Sequence, residues 1–199
     1  MNWPAFLLLS FGALGQGHSA WAWVPTAVEA RLLSRGQMIL DVKPDKDGAS
    51  GLIQAGIDID APASVVWHIL VDCDLAPRMM PNLSSCRILE RDPLGRFDVR
   101  EHISKSLFFL PSIRNVFRSD YYPPDGIRIR RAGGDMKVLE GEWSLVSQNN
   151  GARTRALYQG RATAPFSVPG PISRLVLRDQ IGGGLIALRH EAQTVSTQP

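Results

Sequence analysis

The chain has 199 residues, of which 44% are hydrophobic and 21% are charged, a composition that excludes a disordered protein and one dominated by membrane-spanning segments. Its formal net charge of +3 is too small to indicate a nucleic-acid-binding protein. We expect one domain of ordinary size, large enough to fold without an obligatory metal ion or disulfide.

The N-terminus has most features of an export signal. The apolar run Ala5–Leu14 is well under the roughly 18 residues that a bilayer-spanning helix needs. Ala20-Trp21-Ala22 follows with the small-x-small pattern of a cleavage site, although Met1-Asn2-Trp3 carries no Lys or Arg. We expect residues 1–22 to be a signal peptide cleaved near Ala22, with export to the periplasm. An uncleaved anchor and a buried N-terminal helix are the alternatives.

The two cysteines, Cys73 and Cys86, enclose a short segment of the chain. In an oxidising compartment they could form a disulfide, and closing a loop of about 15 residues stabilises a protein by roughly 3 kcal/mol. Two buried free thiols are the alternative. The sequence leaves both open.

The first part of the mature chain predicts a hairpin followed by two short helices. Met38–Val42 and Leu52–Ile59 flank a turn-rich insert, which is typical of paired strands. Pro62 favours a helix start, and apolar residues recur at helical spacing after it. Residues 75–81 predict a second short helix or turn that ends at a proline.

Alternation of apolar and polar residues then predicts six consecutive antiparallel strands, at 86–91, 97–103, 113–122, 127–130, 137–147 and 154–162. In the second of these strands, Phe97, Val99 and Glu101 share one face, and we expect this face to point inward. Arg100 and His102 lie on the opposite face.

The last segment predicts a terminal helix of roughly 20 residues. Its expected inward stripe comprises Ile172, Leu175, Val176, Asp179, Leu185, Leu188 and Ala192. Gly182-Gly183-Gly184 lies inside this helix, where each glycine costs about 1 kcal/mol relative to alanine. Close packing or a helix break would explain the glycines, and a weak point that lets the helix lift for a bulky ligand is the functional alternative.

This order of elements, together with three local strings, resembles START-like proteins of the SRPBCC superfamily. The strings are Ile59–Trp67, Met80-Pro81 and Gly134–Trp143, and the last is similar to the polyketide-cyclase and coenzyme Q-binding branch. The resemblance covers about residues 50 to 192. It implies an α+β helix-grip fold, in which a curved antiparallel sheet of about seven strands wraps around a long C-terminal helix, with two short helices after the first strand.

The expected organisation is a signal peptide at 1–22, an N-terminal segment with the first hairpin strand at 23–50, a START-like domain at 51–194 and a tail at 195–199. A curved sheet around one helix leaves an apolar cavity on its concave side. For any single side chain there, core packing is a simpler explanation than ligand contact. The expected ligand-binding residues are Met79, Met80, Phe97, Val99, Glu101, Phe117, Tyr121, Ile129, Trp143, Tyr158, Leu175, Val176, Asp179 and Leu185.

Catalytic chemistry has little support in the sequence, which contains no hydrolase, redox or zinc motif. Glu101 and Asp179 are the carboxylates expected to point inward, and desolvation would raise the pKa of Glu101 toward a range suited to acid–base work. An ion pair with arginine, or a polar end of the cavity that orients a ligand head group, is the simpler explanation. We expect no catalytic residue, no metal and no cofactor.

We therefore favour a non-enzymatic exported protein that binds or carries a hydrophobic small molecule, such as a lipid, sterol-like or quinone-like compound. A polyketide cyclase or aromatase using the same cavity, and an interaction module with a vestigial pocket, are the alternatives. A basic stripe on the convex face could add transient contact with anionic lipid head groups. Its members are Arg128, Arg130, Arg153, Arg155 and Arg161.

Overall fold

The computed structural model describes residues 23–44, 51–106, 111–165 and 170–197. Its helices are α1 (Ala27–Ser34), α2 (Ala63–Val71), α3 (Ala76–Met79) and α4 (Gly170–Ser196). Its strands are β1 (Ile39–Pro44), β2 (Gly51–Ile59), β3 (Leu83–Arg91), β4 (Phe97–Ser104), β5 (Arg114–Tyr122), β6 (Gly126–Gly134), β7 (Val138–Gln148) and β8 (Arg153–Thr163).

The eight described strands form one antiparallel sheet in the order β1-β2-β8-β7-β6-β5-β4-β3. The first hairpin thus adds to the last strand, and α4 packs against β1, β2, α2 and α3. This arrangement is the helix-grip fold, so the predicted α+β class is confirmed, together with the hairpin, the two short helices and the six later strands. The sheet has one strand more than the seven or so expected because both strands of the first hairpin join it.

The hydrophobic core lies between the concave face of the sheet and the helices α2 and α4. Ile57 and Ile59 of β2, Val66 of α2, and Leu185 and Leu188 of α4 are almost fully buried within it. At roughly 25 cal/mol per Å² of apolar surface, this burial is the main force that holds α4 on the sheet.

Helix α1 was not predicted, and it covers part of the convex face. Thr26 and Glu29 form a capping box, in which the Thr26 backbone N–H donates to the Glu29 carboxylate (2.7 Å) and the Glu29 N–H donates to Thr26 Oγ1 (3.3 Å). Leu33 at its other end is completely buried beside Leu157 and Gly56. The string Thr-Ala-Val-Glu was the sequence signal that could have revealed this helix.

Helix α4 runs without a break through its three glycines, but the first half of its predicted inward stripe is wrong. Leu175 is 69% exposed, and Ile172 and Asp179 also face solvent. The predicted stripe steps six residues from Asp179 to Leu185, which is not a whole number of turns at 3.6 residues per turn. The helical spacing from Leu185 instead leads back to Ile181, which packs against the core.

Cys73 and Cys86 are joined by a disulfide, with their Cα atoms 5.5 Å apart. The bridge links the chain just after α2 to β3, and α3 lies inside the loop that it closes. Of the two alternatives that the sequence left open, the structure therefore has the bridged one.

The predicted signal peptide at 1–22 lies outside the described residues, so export stays a prediction. Within the described ranges, no helix combines the length and the apolar character required to cross a bilayer.

Candidate ligand-binding cavity

A cavity of about 290 Å³ lies between α4 and the concave face of the sheet. This volume is at the lower end of the range for small-molecule sites. Apolar side chains of α3 and the residue after it, of α4 and of the strands β6 and β7 form much of its wall, among them Met79, Met80, Ile127, Ile129, Leu139, Trp143, Ile181, Leu185 and Leu188. The polar part of the wall is made by Arg100, His102, Asn115, Ser119, Tyr121, Tyr158 and Gln180.

Aromatic side chains shape the wall on the side of β7 and β8. Trp143 and Tyr158 are register partners across these strands, and their ring centroids are 5.0 Å apart. The Tyr158 ring lies flat over two glycines, since an added Cβ at Gly141 or Gly160 would be 2.6 or 2.5 Å from the Tyr158 oxygen. Burial raises the pKa of Tyr158 to about 12, so its hydroxyl stays protonated.

The structure brings together those predicted site residues that lie on α3 or directly after it, on β5 to β8 and in the middle of α4. They are Met79, Met80, Phe117, Tyr121, Ile129, Trp143, Tyr158 and Leu185. The remaining predicted residues lie outside the cavity wall, namely Phe97, Val99, Glu101, Leu175, Val176 and Asp179. For Leu175, Val176 and Asp179, the cause is the wrong helical stripe in α4.

For β4, the predicted inward and outward faces are exchanged. Asp98, Arg100 and His102 are on the concave face, although charged residues are normally excluded from such positions. Phe97 lies on the convex face, where the Arg118 guanidinium carbon is 3.5 Å from the centroid of its ring. The expectation was wrong because it assumed that the apolar side chains of a half-buried strand always face inward.

Glu101 accordingly lies on the convex face, paired with two arginines. Its carboxylate accepts from Arg87 Nη2 at 3.0 Å and from Arg114 Nε at 2.5 Å. The hydrogen bond from Arg114 holds the pKa of Glu101 below its usual value, and Arg87 adds to this effect. The expected rise in pKa is therefore wrong, and the simpler explanation, an ion pair with arginine, is confirmed.

The concave charges of β4 form a closed cluster with a tyrosine of β5. Asp98 and Arg100 are 2% and 4% exposed, and Arg100 donates to both carboxylate oxygens of Asp98, at 3.0 and 2.5 Å. Tyr121 donates its O–H to Asp98 (2.5 Å), and Arg100 donates to Tyr121 and to the carbonyl oxygen of Val71. Burial raises the pKa of Tyr121, which keeps it a hydrogen-bond donor. Because the two opposite charges neutralise each other, the protein can keep both side chains buried beside the cavity.

His102 and Asn115 lie opposite each other on β4 and β5 and line the same part of the cavity. His102 Nε2 and Asn115 Oδ1 are buried, and neither has a hydrogen-bond partner among the described residues. The His102 ring packs edge-on against Phe117, with ring centroids 4.7 Å apart. Burial, and then the charge of Arg100, lower the pKa of His102 to about 4, so its imidazole is neutral at pH 7. Sequence reasoning placed His102 on the outer face and missed this site.

The predicted basic stripe on the convex face is a set of ion pairs. Each of its arginines has an acidic partner on a neighbouring strand or just after one, in the pairs Arg153–Asp60, Arg155–Asp58, Arg161–Glu140, Arg128–Glu142 and Arg130–Asp120. Arg155 also donates to the carbonyl oxygen of Ala30 in α1. Much of the positive charge on this face is therefore balanced locally.

Among the described residues, no three or more His, Cys, Asp or Glu side chains are grouped so that they could hold a metal ion.

Comparison with known families decides what kind of domain this is. Residues 59–189 match the family model described as polyketide cyclase/dehydrase and lipid transport. The chain belongs to this family. The resemblance noted in the sequence is thereby confirmed, and the domain is a START/SRPBCC domain that binds hydrophobic ligands. No curated protein sequence matches the chain.

Several solved structures of START-type proteins have the same fold as this protein. A START superfamily protein from Mycobacterium smegmatis has a TM-score of 0.62 and 19% identity, covering 72% of this chain and 98% of its own. A STAR-related lipid transfer protein from Xanthomonas axonopodis has a TM-score of 0.61 and 15% identity, with coverage of 77% and 98%. An aromatase/cyclase from Streptomyces sp. R1128 has a TM-score of 0.58 and 16% identity, with coverage of 74% and 93%. At these identities the likeness concerns the fold alone.

Proposed function

We propose that this protein is an exported carrier that binds one hydrophobic small molecule in its cavity and releases it unchanged. The observation that carries the proposal is the cavity of about 290 Å³ between α4 and the sheet, whose wall is mainly apolar. Lipid-like, sterol-like and quinone-like molecules, or the parts of them that fit this volume, are the ligand class. Removing their apolar surface from water supplies the binding energy, at roughly 25 cal/mol per Å².

Two features of the polar wall favour binding over catalysis. Arg100, the only charged side chain among the described residues of the wall, is already paired with Asp98 and Tyr121. His102 is a poor general base at pH 7, because the ideal pKa for that role lies near the working pH and its own pKa is about 4.

A cyclase or aromatase is the second candidate, and one specific observation favours it. His102 presents an unpaired ring nitrogen to the cavity, and in the tautomer that leaves Nε2 unprotonated this nitrogen is a proton acceptor for a polyketide-like substrate. The two functions differ in a measurable way, since a cyclase converts its substrate and a carrier returns it unchanged.

The binding proposal can be tested by titrating the protein with fluorescent lipid and quinone analogues, using a matched pair of variants. Phe117 is in the cavity wall and Phe97 is on the convex face. We expect Phe117→Leu to weaken binding by about tenfold through lost aromatic contact, and Phe97→Leu to leave binding unchanged. The proposal fails if no analogue binds the wild type, or if both variants have the same effect. Recovery of a chemically altered ligand would instead establish the cyclase.

Export is supported by the apolar run Ala5–Leu14 and by the disulfide, because structural disulfides persist mainly in oxidising compartments. N-terminal sequencing of the protein from its native host tests it. We expect a mature chain that begins near Trp23. An intact Met1 in a soluble cytoplasmic fraction would contradict export and leave the binding proposal standing.

A further inference from the structure

The polar end of the cavity contains two buried atoms that still need a hydrogen-bond partner. His102 Nε2 and Asn115 Oδ1 have none among the described residues. A buried polar atom without a partner costs free energy, and native proteins leave few of them. The two residues are directly opposite each other on neighbouring strands, a position that places Cβ atoms about 5 Å apart. One ligand group lying between the two side chains could therefore reach both atoms.

The chemistry of the two atoms limits what that ligand group can be. Asn115 Oδ1 is a carbonyl oxygen and can only accept, so the ligand must donate to it. His102 is neutral, and in the tautomer with the proton on Nε2 it donates to the ligand. A group that both donates and accepts satisfies the two atoms at once. A hydroxyl does so with a single oxygen, whereas a quinone carbonyl would leave Asn115 Oδ1 unpaired.

The charge of the wall also argues against an ionic head group. Arg100 is matched by Asp98, and the wall has no other formal charge among the described residues. A carboxylate placed in the cavity would be a buried charge without a free cation to pair with, which is costly. An ammonium group would equally lack a free anion.

We infer that the cavity selects an uncharged hydrophobic molecule that bears a hydroxyl group, a phenol or an alcohol, and that this hydroxyl lies between His102 Nε2 and Asn115 Oδ1. The inference rests on the proposed binding function and narrows its ligand class. Phe117, whose ring packs against His102, Met79 of α3 and Met80 directly after it then contact the apolar body of the ligand.

Three probes with one apolar body test the inference, namely 1-naphthol, naphthalene and 1-naphthoate. Dissociation constants are measured from probe fluorescence at pH 7. We expect 1-naphthol to bind about tenfold more tightly than naphthalene, because only the phenol pairs the two buried atoms. We expect 1-naphthoate to bind more weakly than 1-naphthol.

Two near-isosteric variants test whether His102 and Asn115 are the residues that cause the preference for 1-naphthol. His102→Phe and Asn115→Leu should each reduce the preference for 1-naphthol over naphthalene by severalfold while naphthalene still binds. His68→Phe, at an exposed position on α2, is the control and should keep the wild-type preference. If a variant does not fold, the three-probe series on the wild type decides alone.

The outcomes separate the inference from the function on which it rests. Equal affinity for 1-naphthol and naphthalene, tightest binding of 1-naphthoate, or a preference that survives in both folded variants would overturn the inference and leave hydrophobic binding intact. Failure of all three probes to bind would overturn the inference, and if the lipid and quinone analogues also fail, the proposed function falls with it.

Discussion

His102 is a partly exposed residue whose Nε2 is buried, and its imidazole is held in the neutral form. Arg100 and Asp98 of the same strand are the charged groups beside it, and the repulsion from Arg100 adds to the effect of burial. In the unfolded chain its pKa is near 6.5, and in the native protein it is about 4. Below pH 6.5 the unfolded state therefore binds the proton first. Stability is lost as the pH falls from 6.5 to 4.

Replacing His102 with phenylalanine should remove this pH dependence. From the two pKa values, wild type should lose about 2 kcal/mol more unfolding free energy than His102→Phe between pH 7 and pH 5. Urea unfolding at both pH values measures the difference. Carboxylates that titrate in this range affect both proteins alike, so they cancel. Equal losses in the two proteins would show that His102 is solvated in the native state.

The β4 strand shows where residue-level reasoning from sequence stops. Alternation identified the strand correctly, but a period of two does not say which face is inward when both faces carry large side chains. Which face of β4 is buried depends on the hydrogen bonds of Asp98 with Arg100, two residues away, and with Tyr121 on the next strand. Such a pairing across strands has no signature in a local sequence window, and the polar end of the cavity was missed for that reason.

At the scale of elements, the three glycines of α4 have different surroundings. A Cβ on Gly182 would lie 3.3 Å from Leu40 Cδ2, and one on Gly184 would lie 3.2 Å from the backbone oxygen of Met79. At Gly183 no described atom lies within 4 Å of the added Cβ. Close approach of α4 to α3 and β1 thus accounts for Gly182 and Gly184, as the packing explanation expected, but not for Gly183.

Alanine substitutions at Gly183 and Gly184 should have different effects on the stability of the protein. Gly183→Ala should stabilise the protein by roughly 0.5–1 kcal/mol, the gain in helix propensity. Gly184→Ala should lose that gain, because the Met79 carbonyl is part of the backbone and cannot easily move aside. Thermal unfolding of the two variants measures the difference. Equal melting temperatures would mean that α4 is not held against α3 at this distance.

The disulfide acts on the element that closes the cavity. It closes the loop that contains α3, and α3 and the residue after it place Met79 and Met80 in the cavity wall. We expect no free thiol when the purified protein is assayed under denaturing, non-reducing conditions. Cys73→Ser combined with Cys86→Ser should lower the unfolding free energy by about 3 kcal/mol. Two free thiols in protein from the periplasm would contradict the bridge.

At the scale of the whole molecule, the two faces of the sheet carry different kinds of groups. The convex face carries ion pairs and the helix α1, and the concave face holds an apolar cavity with a charge-balanced polar end.

The order of elements follows from local periodicity, so the fold and the cavity residues on β5 to β8 could be predicted from the sequence. The helix α1 could have been found from its capping box. The mispredicted site residues could not be corrected from the sequence, because which side of an element faces the cavity depends on which strands and helices pack together. Leu175 and Asp179 at the start of α4 are examples.

Native mass spectrometry of the mature protein, purified from its native host after mild extraction, tests the central claim most directly. We expect the protein to retain one small hydrophobic molecule per chain, which is released unchanged on denaturation. The Phe117→Leu variant should retain less of it and the Phe97→Leu variant as much as wild type. A chain that is always found empty, and that binds none of the lipid, quinone or naphthalene probes, would contradict a carrier and favour an interaction module with a vestigial pocket.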